Sequence, residues 1–136
     1  SRTSISGAID FAARMFDDNG FEGTRLVIDV SGDGRNNHGR PAWAARDDAI
    51  AKGITVNGLP VVTGSNNFGR PPEEDLVDHY RDEVIGGPGA FLVVAEGFEA
   101  FTNAVLSKLI REVAGDAGGD PQSADGTKII ATPFMQ

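Results

Sequence analysis

The sequence predicts a three-layer α/β domain, a mostly parallel, doubly wound sheet with helices on both faces. Three observations predict it. Short β-rich apolar runs at Arg25–Ser31, Ile54–Val62 and Ala90–Ala95 alternate with stretches whose apolar residues recur at helical spacing. The first and last runs lack the apolar–polar alternation of a half-exposed strand, as strands covered on both faces do. Strands that alternate with helices are joined by right-handed crossovers, which makes them parallel.

Each element has its own signal. Ile5, Ala8, Ile9, Ala12 and Phe16 carry a first helix, which Thr3 or Ser4 can cap and Asn19-Gly20 can end. Arg25–Ser31 is the first strand, and it runs into the turn-rich loop Gly32–Gly39. Pro41 fits the first position of a second helix, Ala42, Ala45, Ala49 and Ile50 form its apolar face, and Gly53 is a natural C-cap. Ile54–Val62 is the next strand, weakened at its far end by Gly58 and Pro60. Residues 63–72 read as a loop, and Glu73, Glu74 and Asp75 suit a helix N-terminus, where negative charge meets the macrodipole. Leu76, Val77, Tyr80 and Val84 form that helix's inner stripe, with the surrounding acids on a solvated face.

Gly86-Gly87-Pro88-Gly89 breaks the chain. It can form an anion nest, but it serves as well to stop a helix before a strand. Ala90–Ala95 is the run that most resembles a buried strand, and Phe98, Phe101, Val105, Leu109 and Val113 follow at helical spacing, closed by Gly115. Residues 115–136 read as a flexible tail, of which Thr127–Phe134 can add a short strand or pack on a neighbour. The predicted order is α-β-α-β-α-β-α.

The bulk composition narrows the function. The chain has 136 residues, of which 40% are hydrophobic, which fits one domain with a core. No apolar run approaches the roughly 18 residues of a membrane span. A net charge of −8 repels phosphate backbones, so nucleic acid is not an expected partner. The chain has no cysteine, which excludes disulfides, thiolate metal sites and cysteine nucleophiles. No signal peptide is visible.

The strings Arg25-Leu-Val-Ile-Asp-Val-Ser-Gly-Asp-Gly-Arg-Asn-Asn, Arg46-Asp47-Asp48-Ala49, Gly53-Ile-Thr-Val-Asn-Gly-Leu-Pro60 and Val84-Ile-Gly-Gly-Pro-Gly-Ala-Phe91 occur together. In combination they resemble a bacterial family of unknown function built on the von Willebrand factor type A-like fold. The likeness runs from about Thr3 to Ala114. Such domains open with a strand ending in an Asp-x-Ser-x-Ser loop, and that pattern is not found before Ser1. The resemblance therefore implies that residues 1–114 are the C-terminal part of such a domain, with the first strands missing. The Arg25–Ser31 strand would then be an open, apolar sheet edge. It also implies a bacterial protein that is secreted or periplasmic.

The resemblance further implies a metal ion-dependent adhesion site at the C-terminal ends of the strands. Thr3 matches the family's later threonine, and Asp33, directly before Gly34, matches its later aspartate. Mg²⁺ or another divalent cation takes hard oxygen ligands and keeps several waters, so a hydroxyl and a carboxylate on adjacent loops supply part of its shell. The plain alternatives stand beside this. Thr3 can be a helix N-cap and Asp33 a turn former.

Asp29 lies among apolar neighbours mid-strand, where an unpaired carboxylate is costly. It reads as a structural buried acid paired with Arg25, Arg46 or a group of the missing half. In a different register Asp29, Ser31 and Asp33 mimic the opening ligand loop itself. Asn36, Asn37 and His38 can line a binding face or be plain turn residues, and His79 reads as solvated. Gly32-x-Gly34 is no dinucleotide fingerprint. No histidine has an identifiable nucleophile and orienting partner, so no catalytic residue is assigned and the domain is not expected to be an enzyme.

The first functional expectation is a protein-binding module assisted by a divalent cation. Its partner is a protein, with the missing N-terminal half or a second copy as candidates. The alternatives are a hydrolase or nucleotide-binding domain using the Gly32–Gly39 loop, and a structural half-domain that pairs with another chain.

Overall fold

The apolar runs pair side by side, all in one direction. The computed structural model describes residues 3–17, 25–62, 72–97, 99–100, 102–107 and 127–133. The expected helix end at Asn19-Gly20, the loop over 63–71, Phe98, Phe101, Leu109 and Val113 of the expected last helix, and the tail over 115–126 lie outside the described residues. Strands β1 (Arg25–Gly32) and β2 (Ile54–Val62) are the inner pair, in parallel register from Leu26 opposite Ile54 to Gly32 opposite Pro60. Strand β3 (Ala95–Glu96) adds to β2 and strand β4 (Thr127–Ala131) to β1, giving an all-parallel four-stranded sheet in the order β3-β2-β1-β4.

Helices flank the sheet, as expected of a three-layer α/β fold. Helix α1 (Ile5–Asp17), helix α2 (Ala42–Ala51) and helix α3 (Pro72–His79) share one core, and α3 continues into a π-helical turn at Tyr80–Val84. Strand side chains alternate between faces, so Ile28, Val30, Ile54 and Val56 point to one side. There they meet Ile5, Ile9, Phe16, Leu76, Tyr80 and Val84. Each fully buried aliphatic side chain contributes about 1.5–3 kcal/mol relative to exposure. Ala42, Ala45 and Ala49 give α2 a small-residue face buried in that core. Gly53 follows α2 with φ of +82°, a conformation glycine adopts without strain, and its N–H closes on the Ile50 carbonyl. Pro41 stands at the N-cap, one residue before the position expected for it.

The edge of β1 that the sequence leaves open is covered. Strand β4 pairs with it from Arg25 opposite Thr127 to Asp29 opposite Ala131. Beyond that register the Thr132 N–H donates to the Asp29 carbonyl at 2.8 Å and the Ser31 N–H to Thr132 Oγ1 at 3.4 Å. Ile130 packs against the core, so β4 joins both the ladder and the apolar layer.

The expected Ala90–Ala95 strand is corrected to a broken edge. Only Ala95–Glu96 forms a ladder with β2, and Leu92 makes a single bridge to Gly58. Phe91, Val93 and Val94 are 40%, 38% and 43% exposed, so the run is not covered on both faces. The reason lies in β2. The Gly58 N–H donates toward this edge, to the Phe91 carbonyl at 3.1 Å. Pro60, two residues on, faces the same side without a hydrogen to donate, and the ladder lapses there.

Gly58 and Pro60 do not end β2, which runs through to Val62. A Cβ on Gly58 would stand 2.7 Å from Tyr80 Cδ2 and 2.9 Å from Ile85 Cγ2. Glycine there lets the Tyr80 ring lie on the strand.

Candidate functional site

The site lies where β1 ends. Gly32 passes into a loop over residues 33–40 that turns back against the start of α1 and the end of α3. The helix entrance is built first. Ser4 is the cap of α1, its Oγ accepting the Gly7 N–H at 3.0 Å. Two further groups at the entrance are served from the loop. Asn36 Oδ1 accepts the Ser6 N–H at 3.1 Å, and Asn37 Oδ1 accepts the Thr3 N–H at 2.8 Å. The Asn37 N–H returns a bond to the Thr3 carbonyl at 2.8 Å. One orphan donor of the helix start, the Ser6 N–H, is thus satisfied by a side chain distant in sequence.

These bonds bring Thr3 to the loop. Thr3 is buried, and a Cβ on Gly34 would lie 3.3 Å from Thr3 Oγ1. The hydroxyl at the entrance of α1 and the Asp33–Gly34 turn therefore share one edge of the sheet. Asp33 itself is exposed. Of the other expected binding-face residues, Asn36 is half-buried and Asn37 and His38 are exposed. The side chains of Asn36 and Asn37 are engaged in holding α1 to the loop, and Asn36 Nδ2 also donates to the Arg40 carbonyl at 3.0 Å. Arg40 joins α1 to α2 through Asp10 at 2.6 Å and Asp48 at 2.8 Å. Those three groups are solvated, which screens their attraction.

His79 is corrected from a solvated residue to a buried one. Its Nε2 accepts the Asn36 backbone N–H at 3.2 Å, and its Nδ1 stands 3.1 Å from Glu83 Oε2. An accepting Nε2 places the ring proton on Nδ1, from which it is donated to Glu83. Burial lowers the His79 pKa below its ordinary 6.5, opposed by Glu83 and reinforced by the charge of Arg35. Glu83 thereby leaves the expected solvated face for a specific partner.

Tyr80 is wholly buried, and its hydroxyl has no hydrogen-bond partner among the described residues. A buried donor in that state costs about 1–3 kcal/mol. Burial first, and the charge of Asp33 second, raise its pKa, so the hydroxyl stays protonated. The helix widens to π geometry at this residue, with the Ile85 N–H reaching the Tyr80 carbonyl at 2.9 Å. Such widenings are frequent at functional sites. The sequence reading missed the roles of His79, Glu83 and Tyr80. The i,i+4 spacing of His79 and Glu83 is the one signal it contains for them.

Asp29 is half-buried. Its Oδ1 accepts from Asn57 Nδ2 at 3.1 Å, its register neighbour on β2, and Asn57 Oδ1 accepts the Phe91 N–H at 3.1 Å. The carboxylate thus anchors a relay that ties the broken edge to the sheet. Arg46 bonds instead to Asp47 and to the Asp82 carbonyl, and Arg25 lies against Gly89. Gly87, with φ of +95°, packs on the backbone of Thr55, whose Oγ1 donates to the Pro88 carbonyl at 2.9 Å. The glycine turn is thereby bound to the sheet.

Among the described residues no three or more His, Asp or Glu side chains gather to hold a metal ion, and no helix is long and apolar enough to cross a membrane. What the edge offers a cation is one carboxylate and one hydroxyl. No curated protein matches the chain, and neither does any solved structure. The family model described as Protein of unknown function (DUF1194) matches residues 1–117, and the chain belongs to that family.

Proposed function

We propose that the chain is a protein-binding domain that engages its partner through a divalent cation held at the C-terminal edge of the sheet, with Thr3 and Asp33 as its protein ligands. One observation carries this reading: Thr3 Oγ1 packs on Gly34, where an added Cβ would stand 3.3 Å from it, beside the exposed Asp33. A hydroxyl and a carboxylate are the hard oxygen donors Mg²⁺ takes, and Mg²⁺ retains waters where protein ligands are few. The edge is where open α/β sheets bind ligands. A net charge of −8 favours a cation there. The resemblance to von Willebrand factor type A-like domains points the same way, and with it to a secreted or periplasmic bacterial protein. When bound, the cation offers an open position to a carboxylate of the partner. The chain's own part is to fix the two oxygens, through Asn37 on Thr3 and the Gly34 turn on Asp33. Binding rather than catalysis is its role.

The test is thermal unfolding with and without Mg²⁺. A ligand at about a hundred times its Kd stabilises the folded state by about 2.7 kcal/mol, a rise of several degrees. Asp33→Ala removes the rise, and EDTA reverses it. A melting temperature of the unsubstituted protein that ignores Mg²⁺ and Mn²⁺ alike discards the reading.

A further inference from the structure

We propose that His79 is a proton-operated latch on the loop over residues 33–40: the neutral ring holds the loop backbone against the end of α3, and the charged ring lets it go. The inference is independent of the cation reading.

The geometry sets the sign. The Asn36 backbone N–H donates to His79 Nε2 at 3.2 Å, a bond that only an unprotonated Nε2 accepts. In the imidazolium both ring nitrogens carry a proton. Two N–H donors would then face each other across that contact, at a side chain only 4% exposed. A buried donor without an acceptor is costly, so the contact parts. The loop yields rather than the helix. Tyr80, next to His79 in the chain, is wholly buried with its ring on Gly58, which fixes the end of α3. The loop has no helix or strand of its own, and most of its residues are exposed. Asn36, Asn37 and Arg40 also tie it to the entrance of α1 and to α2. None of those bonds uses a histidine, so release from α3 is a local step.

The charged groups around the ring tune the latch. Glu83, on the turn after α3, stands 3.1 Å from Nδ1 and favours the charged ring. Arg35, on the loop itself, opposes it, as burial does. Asp33 of the same loop bears on the Tyr80 hydroxyl. On the helix that carries His79, Asp75 lies one turn earlier, and Asp78 and Asp82 pair with Arg81.

Amide hydrogen exchange, corrected for its intrinsic pH dependence, reads the latch. A His38→Gln background leaves His79 as the only histidine. There, protection at Asn36 falls by about tenfold or more between pH 8 and pH 5.5, while Val56, buried in β2, keeps its own. Glu83→Gln moves the midpoint of that fall to lower pH, and Arg35→Gln moves it to higher pH. His79→Gln, with a side-chain oxygen as acceptor, makes Asn36 protection independent of pH. Protection at Asn36 that stays constant over this range overturns the proposal. So does an equal loss at Val56, which would mean global unfolding, or a midpoint that both charge variants leave in place. The parent and the two charge variants keep the ring, so they decide the matter even where His79→Gln does not fold.

Discussion

The backbone N–H of Asn36 donates to Nε2 of His79 across 3.2 Å, so a buried histidine at the end of α3 holds the loop that follows β1. The same Asn36 holds the start of α1 through Ser6. Three elements thus meet at one residue, and the position of Asp33 depends on them.

Stability should fall as the pH is lowered, through His79. Its folded pKa lies below the ordinary 6.5. The unfolded chain therefore takes up a proton that the folded chain refuses, and stability rises with pH wherever that holds. The contribution is complete above pH 6.5 and is lost progressively as pH falls through 6.5 toward the folded value. Urea unfolding at pH 8 and pH 5.5 checks this against His79→Gln, which keeps an acceptor but does not titrate. The parent should lose more stability than the variant, and equal losses count against the assignment.

Asn36→Ala should destabilise by about 1–2 kcal/mol, since it removes the acceptor for the Ser6 N–H and the donor to the Arg40 carbonyl. Equilibrium denaturation measures it. A variant as stable as the parent would show that water replaces both bonds.

Gly58→Ala should cost about 1–3 kcal/mol through overpacking, because its Cβ would meet Tyr80 Cδ2 at 2.7 Å and Ile85 Cγ2 at 2.9 Å. The near-ultraviolet signal of the single tyrosine should change with it. Wild-type stability would mean that the Tyr80 ring moves freely off the strand.

The elements were legible where local pattern decides them. Ile5, Ile9 and Phe16 on α1, the β-rich run of β1 and the Gly53 cap all follow from spacing or from one residue's conformational needs. What depends on distant partners was not legible. Nothing near Thr127 says that it pairs with Arg25. The failure of the Ala90–Ala95 run is caused by Pro60, on another strand. His79 sits among acids that read as a solvated face, and the loop backbone that it meets, at Asn36, is 43 residues away in the chain. Within the site, Thr3 and Asp33 were named through a resemblance, whereas Tyr80 counted only as core because an unpaired hydroxyl is visible only once the core is assembled.

Deleting residues 127–136 should expose the β1 edge from Arg25 to Asp29, now paired by β4. An uncovered apolar edge recruits other chains. Light scattering should show concentration-dependent association of the shortened protein. A monomer of unchanged stability would show that β4 is dispensable to the sheet.

The most direct measurement is Mn²⁺ relaxation enhancement in the amide spectrum. Bound at Thr3 and Asp33, Mn²⁺ should broaden the Thr3, Asp33, Gly34 and Tyr80 signals first, at substoichiometric amounts, and spare those of Asp17 and Lys52. Broadening centred anywhere else, or none below millimolar Mn²⁺, would contradict a cation site at this edge.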